Sequence, residues 1–583
     1  MHGFYNRALY VDLSTRSHQV RQPGEEVLQA YLGGRGLGSY LLWKELPAGV
    51  DPLGPDNVLI FTTGPLTGTL FPGSSRYALF TRSPATNAYA ESTSGGRVPV
   101  QIARTGYDAI VIRGAAASPI YLVISDAGVE FREASDFWGM DTYATEEALL
   151  ADVAVPGAEA VVIGPAGENL ARQACVVNNR WRCAGRCGMG AVFGAKKVKG
   201  IVFHGQQERQ LADAAGFKAY TRSFRETGMQ SPGAKSYRQY GTAATTAITN
   251  TAGAFPAYYW SAGTLPGWEQ ISADTLLETF DVRPRACPGC FFACAKLTTV
   301  QQGRHKGLTI EGPEYETIYA LGGLCAIQSL EEIAYLNDLC DRYGLDTMSV
   351  GNLAGLLMEA RRRGRHDHKL EYGDADGVAT LIGQIAHREG PGDVLADGIA
   401  AASRAWGLED LAVHVKGLEP AGYDPRKLKG MALAYATTPR GACHLRATMY
   451  KYELSGKIPP EQVEGKAAYY AEVEDRLTIM DTLVLCRFFR DLTTWEELQT
   501  ILRLSTGLML DEPGLRHIAN NITTLTRCFN VREGFGRADD RLPARFHDEL
   551  LDGHTLTRDE VELMLSDYYR LRGWDDEGRP RCP

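Results

Sequence analysis

The sequence predicts an α+β multidomain protein, with a β-rich N-terminal domain followed by two mainly helical domains. Three observations carry this prediction. The chain has 583 residues, too many for one hydrophobic core and enough for about three or four domains. Residues 1–207 hold short apolar runs punctuated by Gly, Pro, Asn and Asp, the pattern of strands joined by turns. Beyond them the period changes to that of amphipathic helices stopped by glycine.

In chain order, the strand candidates are "RALYVDLS", "NVLIFTTG", "SRYALFTRS", "DAIVIRG", "IYLVIS" and "AVVIGPAG". They recur too densely, with too few long helices between them, for a doubly wound nucleotide-binding fold. "GGRGLGSYLL" at Gly33–Leu42 is not G-x-G-x-x-G and does not follow a strand, so it reads as a turn entering a helix. The region 208–414 carries helical periods in "GFKAYTRSFRETG", "SLEEIAYLNDLCDRYG", "TMSVGNLAGLLMEARRRG" and "VATLIGQIAHREG". The region 415–583 continues them in "EDRLTIMDTLVLCRFFR", "TWEELQTILRLSTG" and "LRHIANNITTLTRCFN". No solenoid-type repeat and no low-complexity linker is visible.

Composition excludes several classes. The net charge is -9, hydrophobic residues make up 44% and charged residues 22%, as in an ordinary soluble domain. No basic block points to nucleic acid: Arg361–Arg363 ends a predicted helix, where cations complement the dipole. "MHGFYNRALYVDLS" lacks the apolar core of a signal peptide and no run reaches membrane-spanning length, so a cytoplasmic protein is expected. Its 12 cysteines are then expected mostly as thiols or metal ligands and not as structural disulfides.

Chemistry concentrates in "CPGCFFAC", Cys287–Cys294, a C-x2-C-x3-C array. Three thiolates so spaced can hold one iron–sulfur cluster, with a distant fourth cysteine completing it. Structural zinc more often pairs two C-x2-C knuckles, and no second one is present. Spacing therefore favours a cluster, but the fourth ligand is open among nine other cysteines. Two further segments share the form D-x-x-x-L-(D/C)-x, namely "DRYGLDT" (Asp341–Thr347) and "DTLVLCR" (Asp481–Arg487). In the first, Leu336, Leu339, Cys340 and Tyr343 line one helix face, Gly344 is a natural C-cap, and Asp346 can cap the next helix.

With these residues in view, the chain resembles the tungsten-containing aldehyde:ferredoxin oxidoreductases, colinearly and over nearly its whole length. The resemblance is carried by "GPLTGT" (Gly64–Thr69), "SGG" (Ser94–Gly96), "GYDAIVIRG" (Gly106–Gly114), "IGPAGENL" (Ile163–Leu170) and "AGRCGMGAVFGAKKVK" (Ala184–Lys199). It continues through the three-cysteine array, "EGPEYET" (Glu311–Thr317), "DRYGLDT", "YDPR" (Tyr423–Arg426), "RGACHLR" (Arg440–Arg446) and "YYRLRGW" (Tyr568–Trp574).

The resemblance implies that the β-rich domain forms a base for a tungsten held by two pterins, with molybdenum the alternative metal, and that the helical domains enclose it beside one [4Fe–4S] cluster. It assigns Asp341, Leu345, Asp346, Asp481 and Leu485 to the pterins. It assigns Arg76, Thr93, Arg182 and Cys183 to the pterin phosphates and a bridging Mg2+, and Cys486 to the fourth cluster ligand beside Cys287, Cys290 and Cys294. It makes Glu316 and His444 the acid/base pair for oxidising an aldehyde, with Glu314 the neighbouring alternative.

Three features depart from the family pattern. Val484 replaces a glycine in the second segment, Thr93 replaces an asparagine near the Mg2+, and Tyr335 and Asp338 stand where some members carry E-x-x-H. No mononuclear iron is therefore expected between subunits. Lacking a second cluster motif or a nucleotide fingerprint, the chain is expected to pass electrons to ferredoxin or to iron–sulfur and flavin-containing subunits, in an oligomer or a heteromeric complex. Competing readings are a related tungsten enzyme that reduces an aromatic acyl-CoA thioester, and a non-catalytic iron–sulfur electron-transfer subunit.

Overall fold

A computed structural model describes residues 1–582. Two six-stranded mixed sheets occupy the N-terminal region, followed by mostly helical structure with one small sheet. The first sheet runs Ser17–Arg21, Ala8–Asp12, Ala109–Arg113, Leu59–Thr62, Tyr77–Arg82, Tyr89–Ser94. The second runs Gly128–Glu133, Ile120–Ser125, Val198–Phe203, Glu159–Val162, Val176–Asn178, Arg182–Ala184.

Read in these directions the sheets are copies. In chain order the first six strands occupy the same places as the second six, and in each sheet the first and sixth pair in parallel while every other pair is antiparallel. This duplication is absent from the sequence reading. Sheet pairing preserves strand direction and inward-facing apolar residues, not residue identity, so a repeat can persist after its sequence signal has faded.

All six runs named as strands form strands. Missed ones such as Tyr89–Ser94, "YAESTS", are short, polar and buried, which hides the alternation expected of a half-exposed strand. Apolar side chains from both sheets, including Leu9, Phe61, Ile110, Leu122, Val161 and Ile201, fill one buried cluster. "GGRGLGSYLL" enters a helix over Gly34–Glu45 as read.

The helices are Ala214–Met229, Leu330–Tyr343, Thr347–Arg362, Ala375–His387, Lys466–Thr482, Trp495–Thr506 and Glu512–Arg532, among shorter ones. Thr494 with Glu497 and Thr557 with Glu560 close capping boxes, each satisfying backbone N–H groups at the start of its helix. Gly507 and Gly573 end those two helices in left-handed conformation, where the missing Cβ removes the steric penalty. Among the described residues, no helix is long and apolar enough to cross a membrane.

Two findings differ from expectation. A three-stranded sheet, Phe280–Arg285, Ala295–Val300 and Thr309–Glu311, interrupts the helical region and carries the three-cysteine array on its first loop. Cys528 and Cys582 form a disulfide, with Cα atoms 5.6 Å apart and a sequence separation of 54. The chain's end folds back on the helix Glu512–Arg532, where Arg527 Nε donates to Gly578 O at 2.7 Å, and this return brings the two thiols together. The other ten cysteines are free.

Candidate cofactor and active site

Three cavities adjoin one another where the sheets meet the helical region. The first, about 250 Å3, is lined by Cys287, Cys290, Cys294 and Cys486 together. Cys486 follows the helix Lys466–Thr482 and its N–H donates to Gly73 O at 2.9 Å, which fixes it against the sheet region. Lys296 Nζ donates to the carbonyls of Ala293 and Cys294 at 3.1 and 3.2 Å, bracing the array.

Burial, with neighbouring thiols adding repulsion, pushes the Cys290 thiol up to about 12 and that of Cys294 well above its ordinary value. Such a set becomes anionic only with a compensating cation. Cys287 Sγ already accepts from Arg182 Nη1 at 3.2 Å and from the Gly96 N–H at 3.4 Å. Among the described residues, the single group of three or more His, Cys, Asp or Glu with ligand atoms within 4.8 Å of one another is His305, Glu331 and Glu332.

The second cavity, about 310 Å3, is central and shares Arg76, Thr93, Trp181, Cys183, Glu311 and Glu314 with the first. Asp341, Leu345 and Asp346 line it. Both D-x-x-x-L segments form the same turn. Gly344 N donates to Asp341 O and Val484 N to Asp481 O, each at 3.2 Å, and Leu345 and Leu485 each donate to the carbonyl five residues earlier, at 2.8 and 2.9 Å.

The turn residues are left-handed in both, Gly344 at φ 74° and Val484 at φ 53°. The replaced glycine is thus a site of backbone strain, because a β-branched side chain resists this conformation. Each turn lies on an equivalent glycine of the duplicated sheets. A Cβ on Gly64 would stand 2.5 Å from Leu483 O, and one on Gly164 2.6 Å from Tyr343 O. The two copies of the sheet each seat one segment.

Backbone is shared, but electrostatics are not. Asp341 Oδ2 accepts from Asn337 at 2.7 Å and meets no cation, and burial among other acidic groups holds its carboxyl well above the carboxylate range. Asp481 Oδ2 accepts from Arg446 at 2.8 Å and Arg487 at 2.5 Å, with Arg35 at 3.7 Å. Burial works against its charge, but the three guanidiniums outweigh it and lower its pKa. Glu91 joins this cluster through Arg446 at 2.9 Å and Arg35 at 3.4 Å.

Three buried cations thus face two carboxylates, and Arg35 Nε and Nη2, Glu91 Oε1, Arg446 Nε and Arg487 Nε have no hydrogen-bond partner. Unsatisfied buried polar atoms of this kind are costly. Sequence reasoning missed Arg35, Glu91 and Arg446, because buried ion pairs between distant parts of the chain leave no local signature.

Several expected residues fall differently from simple expectation. Asp346 stands at the start of the helix Thr347–Arg362 but makes no capping bond. Its carboxylate instead accepts from Ser349 at 2.9 Å and Arg186 at 3.3 Å, a cation outcompeting a backbone N–H. Arg182 lines the cysteine cavity and pairs with Glu311 at 2.5 Å, while Arg76 donates to Thr93 Oγ1 at 2.8 Å. Cys183 lies at both cavities. Tyr335 stacks on His305 at 4.1 Å and Asp338 pairs with Arg342 at 2.7 Å.

The third cavity, about 460 Å3, meets the central one at Glu314, His444 and Leu445. Glu316 and His444 converge there, with Nε2 to Oε1 at 3.4 Å. Glu316 belongs to the short helix Tyr315–Thr317, which runs directly into a π-helix over Ile318–Leu324, a wide turn that is common at functional sites. Its Oε2 accepts from Gly422 N at 3.1 Å and its Oε1 has no hydrogen-bond partner.

Burial pushes Glu316 up to about 8. Burial, reinforced by Arg440, Arg186 and Arg446, holds His444 neutral. Glu314 turns the other way and accepts from Thr242 Oγ1. Cys443, which no sequence motif singles out, accepts from Arg440 Nη2 at 2.9 Å and Leu445 N at 3.4 Å on the central cavity wall. Burial disfavours its thiolate, but Arg440 and Arg446 prevail and lower its pKa.

Comparison with known proteins identifies the family. The N-terminal domain of aldehyde ferredoxin oxidoreductase matches residues 8–205, and its domains 2 and 3 match residues 219–582. Tungsten-containing aldehyde ferredoxin oxidoreductases of Pyrococcus furiosus and Thermococcus kodakarensis are each 35% identical, over 99% of this chain and 98% of theirs. The active-site complex BamBC of benzoyl coenzyme A reductase has a similar fold, with a TM-score of 0.85 at 22% identity, over 99% of this chain and 96% of that one. With matching sequence in every domain, this chain belongs to the aldehyde ferredoxin oxidoreductase family of oxidoreductases.

Proposed function

We propose that the protein oxidises aldehydes to carboxylic acids, R–CHO + H2O giving R–COOH, two protons and two electrons. The observation that carries this reading is the Glu316–His444 pair at the junction of the central and outer cavities. Neutral His444 suits hydrogen-bond donation to the aldehyde oxygen, which makes the carbonyl carbon more electrophilic. Glu316, once ionised, suits removal of a proton from the attacking water. Glu314, held by Thr242, does not reach His444 in this way.

The donor sets fit the family's cofactors. Asp341, Leu345 and Asp346 would hold one pterin, and Asp481 and Leu485 the other, with Arg35, Arg446 and Arg487 gathered around Asp481. Arg76, Thr93, Arg182 and Cys183 would take the phosphates and a Mg2+. Cys287, Cys290, Cys294 and Cys486 would hold a [4Fe–4S] cluster. When bound, the tungsten bis-pterin accepts the two electrons and the cluster passes them on singly. Cys486 adjoins Leu485, so the same segment serves both groups and shortens the route. Ferredoxin, or iron–sulfur and flavin-containing subunits of a larger complex, would receive the electrons.

Metal analysis with a viologen-coupled panel of aliphatic and aromatic aldehydes tests this. Tungsten, about four irons and aldehyde-dependent dye reduction are expected. Four irons without tungsten or molybdenum would make the chain a relay subunit instead.

A further inference from the structure

Arg490 is a buried guanidinium without an anion. Its side chain is nine-tenths or more buried; it donates from Nη1 to Arg487 O at 3.0 Å and also interacts with the Tyr237 hydroxyl. Its Nε has no partner. It lines the outer cavity, the same space onto which Glu316 and His444 open, and not the central one.

Each other cation on the cavity wall has a carboxylate partner, Arg487 sharing its own with Arg35 and Arg446. Arg487 pairs with Asp481 and Lys451 with Asp491. Arg476 lies off the cavity and donates to Arg490 O and Thr493 O at 2.5 and 2.9 Å and to Tyr452 Oη at 3.1 Å. The cavity that Arg490 and the acid/base pair share is walled largely by aromatic side chains: Tyr423 stacks on Tyr450 at 3.8 Å and Tyr237 on Phe488 at 4.3 Å. A buried, uncompensated cation is expensive to maintain without a purpose.

We infer that the outer cavity selects aldehydes bearing a carboxylate at the end remote from the formyl group, with Arg490 binding that carboxylate. The inference rests on the aldehyde reading for the reacting end only. A planar guanidinium matches a carboxylate through two parallel N–H···O bonds. One free positive charge balances a monoanion and leaves a phosphate dianion half compensated. The aromatic walls accommodate an apolar body between the two ends.

Equilibrium binding of 4-methylbenzoate against 4-methylbenzamide to the metal-loaded enzyme tests the site without turnover, and 4-formylbenzoate against benzaldehyde tests it in turnover. The acid is expected to bind about tenfold or more tightly than the amide, and 4-formylbenzoate to exceed benzaldehyde similarly in kcat/KM, as a charge-assisted hydrogen-bonded pair provides. R490Q should bring both ratios close to one, and R490K should leave part of the preference.

Equal binding of acid and amide by the wild-type enzyme would overturn the inference, as would an undiminished ratio in R490Q. Phenyl phosphate displacing 4-methylbenzoate with clearly higher affinity would overturn the choice of carboxylate. If R490Q fails to fold, the wild-type ratio and R490K decide. Acid-selective binding by an enzyme that carries tungsten and iron but oxidises no aldehyde would uphold the anion site and remove the aldehyde reading.

Discussion

Replacing Glu316 by Gln keeps the shape of the side chain and its hydrogen bond from Gly422 N but removes the ionisable oxygen. The size of the effect depends on pH. Glu316 titrates at about 8, so roughly a tenth of molecules carry the carboxylate at pH 7 and roughly nine-tenths at pH 9. If the carboxylate is the base, wild-type kcat/KM rises about tenfold per unit below pH 7 and levels off above pH 8 to 9. The sign follows from the raised pKa: the competent form is the deprotonated one, so activity grows as pH rises through it.

Losing a general base costs about 10^2- to 10^4-fold. The deficit of E316Q should be largest at pH 9 and about ten times smaller at pH 7, where the wild type is itself mostly protonated, and the variant's profile should lose the rising limb. The assay is viologen reduction from pH 6 to 9, with tungsten and iron measured on the same samples. An E316Q enzyme of normal metal content and near-normal rate, or a flat wild-type profile, would refute the reasoning.

Other outcomes follow from the same geometry. Cys486→Ser should lower iron content and bleach the cluster's visible absorption, because a hydroxyl replaces the thiolate facing the other three; unchanged iron would exclude it as a ligand. Cys582→Ser should leave iron intact and, by opening a loop of 54 residues, lower stability by up to about 4 kcal/mol on the chain-entropy account, read as a drop in thermal midpoint under non-reducing conditions. Gly34→Ala places a Cβ 2.2 Å from Asp481 O at a residue with φ 45°, so the second segment must move. About 2 kcal/mol of stability and most of the tungsten should be lost, by calorimetry and metal analysis. His444→Asn should depress kcat by about 10^2-fold or more with tungsten and iron retained, and a normal kcat would remove it from the chemistry.

Much of this was legible in the sequence, for identifiable reasons. Strands such as Leu59–Thr62 announce themselves as short continuous apolar runs, and helices such as Leu330–Tyr343 by the period that one-sided burial imposes on their apolar residues. Gly344 was readable as a left-handed cap. The three-cysteine array was readable as a ligand set, but its fourth member was not, since Cys486 reaches it through tertiary folding and only the family resemblance named it.

The ring of Arg35, Glu91, Arg446, Asp481 and Arg487 was invisible for the same reason. Asp346 looked like a helix cap because local rules cannot foresee Arg186 arriving from another domain. Arg490 resembled any other charged residue beside a run of phenylalanines, and its isolation is a property of the fold alone.

The paired turns have one more consequence. Their backbones match in hydrogen bonding and in the glycine beneath them, yet burial among acidic groups holds the Asp341 carboxyl well above its ordinary range while three guanidiniums hold that of Asp481 below it. A protonated carboxyl both gives and receives a hydrogen bond, whereas an ionised one only receives. Two chemically identical ligands set into these seats would meet different electrostatic surroundings at equivalent atoms, a carboxyl among acidic neighbours in one and a carboxylate braced by three guanidiniums in the other. A gene duplication yields symmetry by default; here the chain has kept the symmetric seats and made their occupants distinguishable.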